Sequence, residues 1–158
     1  MCAQHENAER WQFTGYPLMV TFRTAGLTLA SSERDLVVRA ARYFHEKRYI
    51  LHEVVCMPDH VHIILTPAAA EDGREWSISQ IVQSLKGYAA HRVNESRQRT
   101  GKVWQKGFYE RVIRTTDDLR EKVRYVWENP LRAGLVDDPA LYPHVWNRWY
   151  HGDEQTDA

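Results

Sequence analysis

Residues 57–66 read Met57-Pro58-Asp59-His60-Val61-His62-Ile63-Ile64-Leu65-Thr66, and the reading of this stretch decides the fold. As a β-strand it alternates: His60, His62, Ile64 and Thr66 point to one face, and Val61, Ile63 and Leu65 to the other. The aliphatic set suits packing against helices. The two imidazoles stand side by side on the opposite face, as two ligands of one metal ion must. Pro58-Asp59 is turn chemistry, so the pair opens its strand. With eight histidines in 158 residues, one His-x-His also arises by chance, and a second element is needed to give it meaning.

Working outward, Tyr49–Met57 is a second strand that turns at Pro58-Asp59 straight into the His-x-His strand, which predicts a hairpin. Upstream, Tyr16–Thr24 reads as a strand with Leu18, Val20 and Phe22 on one face. Ser32, with Asp35 three residues on, is read as a cap for a helix to about Lys47, with Leu36, Val37, Ala40 and Phe44 at helical spacing. Downstream, Ser77 caps a helix with the stripe Ile78, Ile81, Val82, Leu85, Tyr88 and Ala89, so Tyr88 is assigned to the core. Asn94–Gly101 is a polar connection, and Val103-Trp104 and Phe108–Arg114 continue the sheet. The order β, α, β, β, α, β is a split βαβ arrangement of the α+β class. It predicts an antiparallel sheet of four to five strands with helices on one face. The other face, with His60 and His62, is expected to be open and to suit a single strand of nucleic acid.

The second element is a helix beginning at Thr115 with Asp117 and Asp118 in its first turn. Leu119, Val123, Val126 and Trp127 form its apolar stripe, and Tyr125 lies roughly 150° from the middle of that stripe. Asn129 sits one turn beyond Tyr125, and Pro130 ends the helix. Tyr125 is therefore not required by its own helix's packing. A plain surface tyrosine with an Asn cap reads equally well from this pattern. Leu131–Val136 is a short turn or helix that Gly134 stops.

The length fits one domain, with residues 1–15 as an N-terminal arm, 16–150 as the domain and 151–158 as an acidic tail expected to be disordered. No apolar run approaches the ~18 residues of a membrane span, and the N-terminus lacks the basic start and apolar core of a secretory signal. Two cysteines, Cys2 and Cys56, are too few for a disulfide framework, which fits a reducing cytoplasm. The zero net charge hides a segregation. Between Ser77 and Arg114 stand eight basic residues, Lys86, Arg92, Arg97, Arg99, Lys102, Lys106, Arg111 and Arg114, against two acids. From Asp137 onward five acids face Arg148 alone. Those eight cations are the candidates for phosphate contacts, with Arg10 and Arg23 as additions; a solvated basic face is the alternative. The aromatic stretch Tyr142–Tyr150 either stacks on bases or folds back onto the sheet.

Three blocks in order carry a family resemblance: Met57-Pro58-Asp59-His60-Val61-His62; Val103-Trp104-Gln105-Lys106-Gly107-Phe108-Tyr109 with Arg114 after it; and Tyr125-Val126-Trp127-Glu128-Asn129-Pro130-Leu131-Arg132-Ala133-Gly134-Leu135-Val136. Together they resemble the HUH single-tyrosine transposases of insertion-sequence type, most closely the REP-associated tyrosine transposases. The resemblance runs from about Tyr16 to Trp149. It implies a ferredoxin-like sheet with a C-terminal catalytic helix, cutting and joining single-stranded DNA beside hairpins of the repetitive palindromic type. It implies His60, His62 and Asn129 as metal ligands for Mg²⁺ or Mn²⁺, Tyr125 as the nucleophile, and a nucleoid-associated monomer or homodimer. Two nitrogen ligands suit Mn²⁺ better than Mg²⁺. Asp59 stands where relatives often have Asn, and Glu110 where Asp is expected; both departures are read as bearing on metal preference or DNA contacts. A non-catalytic single-strand-binding module on the same fold is the rival, and replication or relaxation endonucleases, which usually carry additional domains, are a further one.

Overall fold

The computed structural model describes residues 3–4 and 15–151. Six strands form one sheet: β1 (Ala3–Gln4), β2 (Leu18–Arg23), β3 (Tyr49–Cys56), β4 (His60–Pro67), β5 (Tyr109–Val112) and β6 (Val145–Asn147), in the order β1-β5-β2-β4-β3-β6. Every named pairing is antiparallel. The four central strands are those read from the sequence. The edge strands β1 and β6 add to them, and β6 is the aromatic stretch folding back onto β3.

The β3–β4 hairpin closes at Pro58-Asp59, with the amide of Met57 donating to the carbonyl of His60 at 2.8 Å. One irregularity interrupts its register, between Leu51 and Glu53, where His52 is the extra residue of a bulge. Beyond it Glu53 faces Ile64, and Val55 faces His62.

Helices α1 (Ser31–Tyr43) and α2 (Ile78–Arg97) pack on one face. Val37, Ala40 and Ala41 of α1 and Ile78, Ile81, Leu85 and Ala89 of α2 join Val20, Phe22, Val61, Ile63 and Leu65 in the main core. Burying the Val, Leu, Ile and Phe side chains among them is worth about 1.5–3 kcal/mol each. Tyr88 packs against this core, stacked on Tyr43 with ring centroids 4.9 Å apart. Ser77 and Gln80 form a reciprocal cap, each backbone N–H donating to the other's side-chain oxygen at 3.1 Å.

Several helix boundaries differ from the sequence reading; α1, for one, ends at Tyr43 and not near Lys47. Helix α1 begins at Ser31, and the carboxylate of Glu33, not Ser32, caps its start by accepting from the N–H of Ala30 at 2.7 Å. Helix α2 runs past Asn94 to Arg97, because Arg97 is drawn onto the buried Glu33 and Val93 reaches the core.

The face expected to be open is covered over part of its extent. Helix α3 (Thr116–Trp127), capped by the Thr115 hydroxyl accepting from the Asp118 N–H at 3.0 Å, lies over it. Val126, with Leu119 and Val123 beside it, packs on Met19, Val55, Met57, Ile64 and Ile113 in a second core. Helices thus lie on both faces of the sheet. The physical reason is plain: the His-bearing side of these strands also carries large apolar groups that water does not solvate. Arg10 and residues 152–158, most of the expected acidic tail, lie outside the described residues. No helix among the described residues is long and apolar enough to cross a membrane.

Candidate active site

His60 and His62 project from the start of β4 onto the α3 side, with ring centroids 4.8 Å apart and planes at 84°. Each ring is held through Nδ1. Asp59 Oδ1 lies 2.7 Å from Nδ1 of His60, and Thr21 Oγ1, the register partner on β2, lies 2.8 Å from Nδ1 of His62. With Nδ1 donating to oxygen, each Nε2 keeps its lone pair for another group; this is how oriented metal-binding imidazoles are held. Burial, followed by the charges of His60, Arg23 and Arg132, pushes His62 down to about 3, so its ring is neutral at ordinary pH. The hydrogen bond to His60 holds the Asp59 carboxyl below the usual range.

Helix α3 delivers the remaining groups to the same place. Tyr125 is 45% exposed, and its ring centroid lies 6.1 Å from that of His62, edge to face. Asn129 does not continue α3. The helix ends at Trp127, and Asn129 opens a second short helix, α4 (Asn129–Arg132), with Pro130 in its first turn. Pro130 therefore starts a helix as well as ending one. Gly134 (φ 74°) follows, its N–H donating to the Leu131 carbonyl at 3.0 Å. Across this junction the Asn129 amide nitrogen comes within 3.1 Å of Nε2 of His62, in hydrogen-bond reach of its lone pair.

The donors present fit a divalent cation bound in an open site. Two oriented imidazoles stand side by side with the Asn129 amide against one of them, and among the described residues no group of three or more His, Cys, Asp or Glu could hold an ion by itself. Water and substrate oxygens would complete the shell. Asp59 is engaged with Nδ1 of His60, so its charge acts through that imidazole. Glu110 belongs elsewhere: it pairs in register with Val20 and is buried on the α1–α2 side, where burial pushes its carboxyl up to about 7. It does not face the histidines, so the expected influence on the metal falls away.

The eight basic candidates separate by location. Lys86 on α2 donates from Nζ to the carbonyls of Gln105 and Gly107, both at 2.8 Å. Arg97 is bonded to both carboxylate oxygens of Glu33 and to the Thr28 carbonyl at 2.7 Å. Arg99 donates to Asn94 Oδ1 at 3.2 Å and to the Lys102 carbonyl at 3.3 Å. These three bind their own chain, and α2, which also carries the exposed Arg92, lies across the sheet from the histidines. Lys102 and Lys106 are exposed on the loop that runs beside β2; the Gln105 N–H donates to the carbonyl of Arg23, which pairs in register with His60. That loop borders the histidine end of the sheet. Arg111 pairs in register with Met19 and so points to the α3 face; Arg114 is exposed just before α3. In the aromatic stretch Trp146 is buried, whereas Trp149 and Tyr150 stay exposed beside Trp127.

The sequence reading missed Thr21 as a partner of His62, which only the β2–β4 register reveals. It also missed Arg132, whose guanidinium carbon lies 4.3 Å from the centroid of the Tyr125 ring. Spacing alone hides that contact, because it crosses the break at Pro130.

Comparison with known proteins bears on this arrangement. The REP-associated tyrosine transposase of Escherichia coli K12 is 26% identical over 110 residues, spanning 70% of this chain and 59% of that protein. A relative from Haemophilus influenzae is 26% identical over 96 residues, 58% of this chain and 54% of its own length. The chain thus spans little more than half the length of the curated relatives it matches. Among solved structures, a REP-associated tyrosine transposase bound to a REP hairpin superposes with a TM-score of 0.70 at 22% identity, over 89% of this chain and 82% of that one, which shows a shared fold. A bacterial tRNA(His) guanylyltransferase-like protein in complex with GTP reaches only 0.53 at 10% identity, over 78% of this chain and 70% of that one. The model of the family described as transposase IS200-like matches residues 22–129, from the end of β2 through the tyrosine helix to Asn129, and the chain belongs to that family.

Proposed function

We propose that this chain cuts and rejoins single-stranded DNA beside hairpins of the repetitive palindromic type, with Tyr125 as the nucleophile. The observation that carries the reading is the meeting of the α3–α4 junction with β4: the Asn129 amide 3.1 Å from His62, with the Tyr125 ring edge-to-face beside the same imidazole. This meeting is made within a single chain, so no exchange of helices between subunits is required for it.

The phenolic oxygen of Tyr125 attacks the phosphorus of the scissile phosphodiester. The bond from phosphorus to the 3′ oxygen breaks, that oxygen leaves and takes up a proton, and the phenolic proton passes to solvent. The product is a 5′-phosphotyrosine and a free 3′-hydroxyl. A free phenol titrates at about pH 10, so attack needs charge stabilisation at the site. A divalent ion, Mg²⁺ or Mn²⁺, held by His60, His62 and Asn129 would supply that stabilisation by offsetting negative charge on the phosphate. Because the covalent link retains the phosphodiester's energy, attack by a second 3′-hydroxyl reseals the strand without a nucleotide cofactor. Lys102, Lys106, Arg23, Arg111 and Arg114, near the histidine end or on the α3 side, are the cations best placed to hold the strand's backbone.

The test is incubation with labelled hairpin-bearing single strands and Mn²⁺, scored for a covalent protein–DNA band. Wild type is expected to form the band. Tyr125→Phe is expected to bind the strand and form none, and a band persisting in that variant removes Tyr125 from its role. His60→Ala with His62→Ala is expected to abolish cleavage at every Mg²⁺ or Mn²⁺ concentration. Binding by wild type with no band under any of these conditions supports a non-catalytic single-strand-binding module instead.

A further inference from the structure

Arg132 closes α4 seven residues after Tyr125 and returns to it twice. Its guanidinium carbon stands 4.3 Å from the centroid of the Tyr125 ring, and Nη2 donates to the Tyr125 carbonyl. A third contact, from Nη1 to Glu128 Oε2 at 3.4 Å, is long for a hydrogen bond. Glu128 is shared with Arg124, whose Nε donates to Oε1 at 2.9 Å. The result is a clamp over the break at Pro130, tying the last turn of α3 to α4 and laying a planar cation against the tyrosine.

A guanidinium carries five N–H donors in a fixed fork matched to phosphate oxygens. The contacts just described use two of them. The side chain is 42% exposed, so the remaining donors are open to a molecule arriving at Tyr125. A stabilising clamp alone would not need its cation against the aromatic ring that stands beside His62.

We propose that Arg132 is a phosphate-binding and positioning residue: it fixes the attitude of the Tyr125 ring and offers the outer edge of its fork to the phosphate that Tyr125 attacks. This rests on the reading of Tyr125 as nucleophile. The ring contact limits rotation of the phenol, so that its oxygen is presented in one direction. The same cation sits where charge develops on the phosphate, in the manner of preorganised donors at other phosphoryl-transfer sites. Lysine would keep the charge but lose both the fork and the flat face.

The experiment uses the full chain, labelled hairpin-bearing single strands and Mn²⁺. The rate of covalent adduct formation is measured at saturating DNA, and binding in metal-free buffer is followed as salt is raised. For Arg132→Gln, the adduct rate is expected to fall about a hundredfold, as when one preorganised donor to a transition state is removed. The slope of log affinity against log salt should shrink by about 0.7, the loss of one phosphate contact on a single strand. Arg132→Lys should retain the wild-type salt slope and yet fail to recover the rate, whereas a purely structural clamp would leave the slope unchanged in Arg132→Gln as well. Thermal denaturation of both variants accompanies the assay, and Arg132→Lys decides the matter if Arg132→Gln is unfolded. A wild-type adduct rate in either variant overturns the positioning role, and an unchanged salt slope in folded Arg132→Gln overturns the phosphate contact. Should wild type form no adduct while the slope still shrinks in Arg132→Gln, the phosphate contact stands and the assignment of Tyr125 falls.

Discussion

Asn129 Nδ2 lies 3.1 Å from His62 Nε2, across 67 positions of sequence, while Thr21 Oγ1 lies 2.8 Å from the same ring's Nδ1. One imidazole is gripped from both sides, by a neighbouring strand and by the chain that follows the tyrosine. The amide nitrogen donates to the lone pair that a cation would use, and only the amide oxygen can serve as a ligand. Asn129→Ala should therefore raise the Mn²⁺ concentration needed for half-maximal adduct formation, and Asn129→Asp should lower it below that of Asn129→Ala. A Mn²⁺ titration of adduct yield checks the order.

Asp59 and Thr21 act through the histidines they orient. Partners of this kind typically contribute about 10- to 100-fold in metal affinity. Asp59→Ala should raise the Mn²⁺ concentration needed for half-maximal adduct formation by roughly that range, and Thr21→Val by the lower end of it, because a hydroxyl carries no charge. Neither should alter hairpin binding in metal-free buffer, which fluorescence anisotropy reads directly.

Glu53 sits fully buried beneath α3 on β3, with the Asn147 amide donating to Oε1 at 3.1 Å and no partner on Oε2 among the described residues. Burial pushes its carboxyl up from 4.5 to about 8. The folded state then holds the proton more tightly than the unfolded chain. Its contribution to stability is complete below pH 4.5 and is lost as pH rises toward 8, at about 1.4 kcal/mol per unit of displacement. Glu53→Gln keeps the shape and removes the titration. The melting temperature of the variant relative to wild type should climb from pH 5 to pH 8, and melting curves at stepped pH test this.

Arg97 and Arg92 belong to one basic segment yet should behave differently. The Arg97 guanidinium pairs with Glu33, whose side chain is only 4% exposed, so Arg97→Gln leaves a buried carboxylate uncompensated. Breaking buried pairs costs about 3–5 kcal/mol, and the partial exposure of Arg97 puts this one at the lower end. Arg92 is exposed, and Arg92→Gln should leave the melting temperature unchanged. Denaturation of the two variants side by side separates the structural cation from the solvated one.

The strand pattern and the split βαβ order were legible because alternation along β2, β3 and β4 has a single consistent meaning once Val61, Ile63 and Leu65 are given to the helices. The position of α3 was legible in part. Met19, Val55, Met57, Ile64 and Ile113 fall on the histidine side of their strands or beside it, and an apolar surface of that extent needs a cover. Leu119, Val123 and Val126 supply one. What the sequence hid depends on register or on distant pairing: Thr21 opposite His62, Glu33 with Arg97 across 64 positions, and Arg132 folded back on Tyr125. Charge runs show where cations are, not which of them already have partners.

Among the described residues the sheet's edge strands are very short, two residues in β1 and three in β6. Long unpaired edges recruit further chains and seed fibrils, and brief ones give an incoming strand almost nothing to grip. Edges of this length leave few unpaired backbone groups from which a second copy of the chain could extend the sheet.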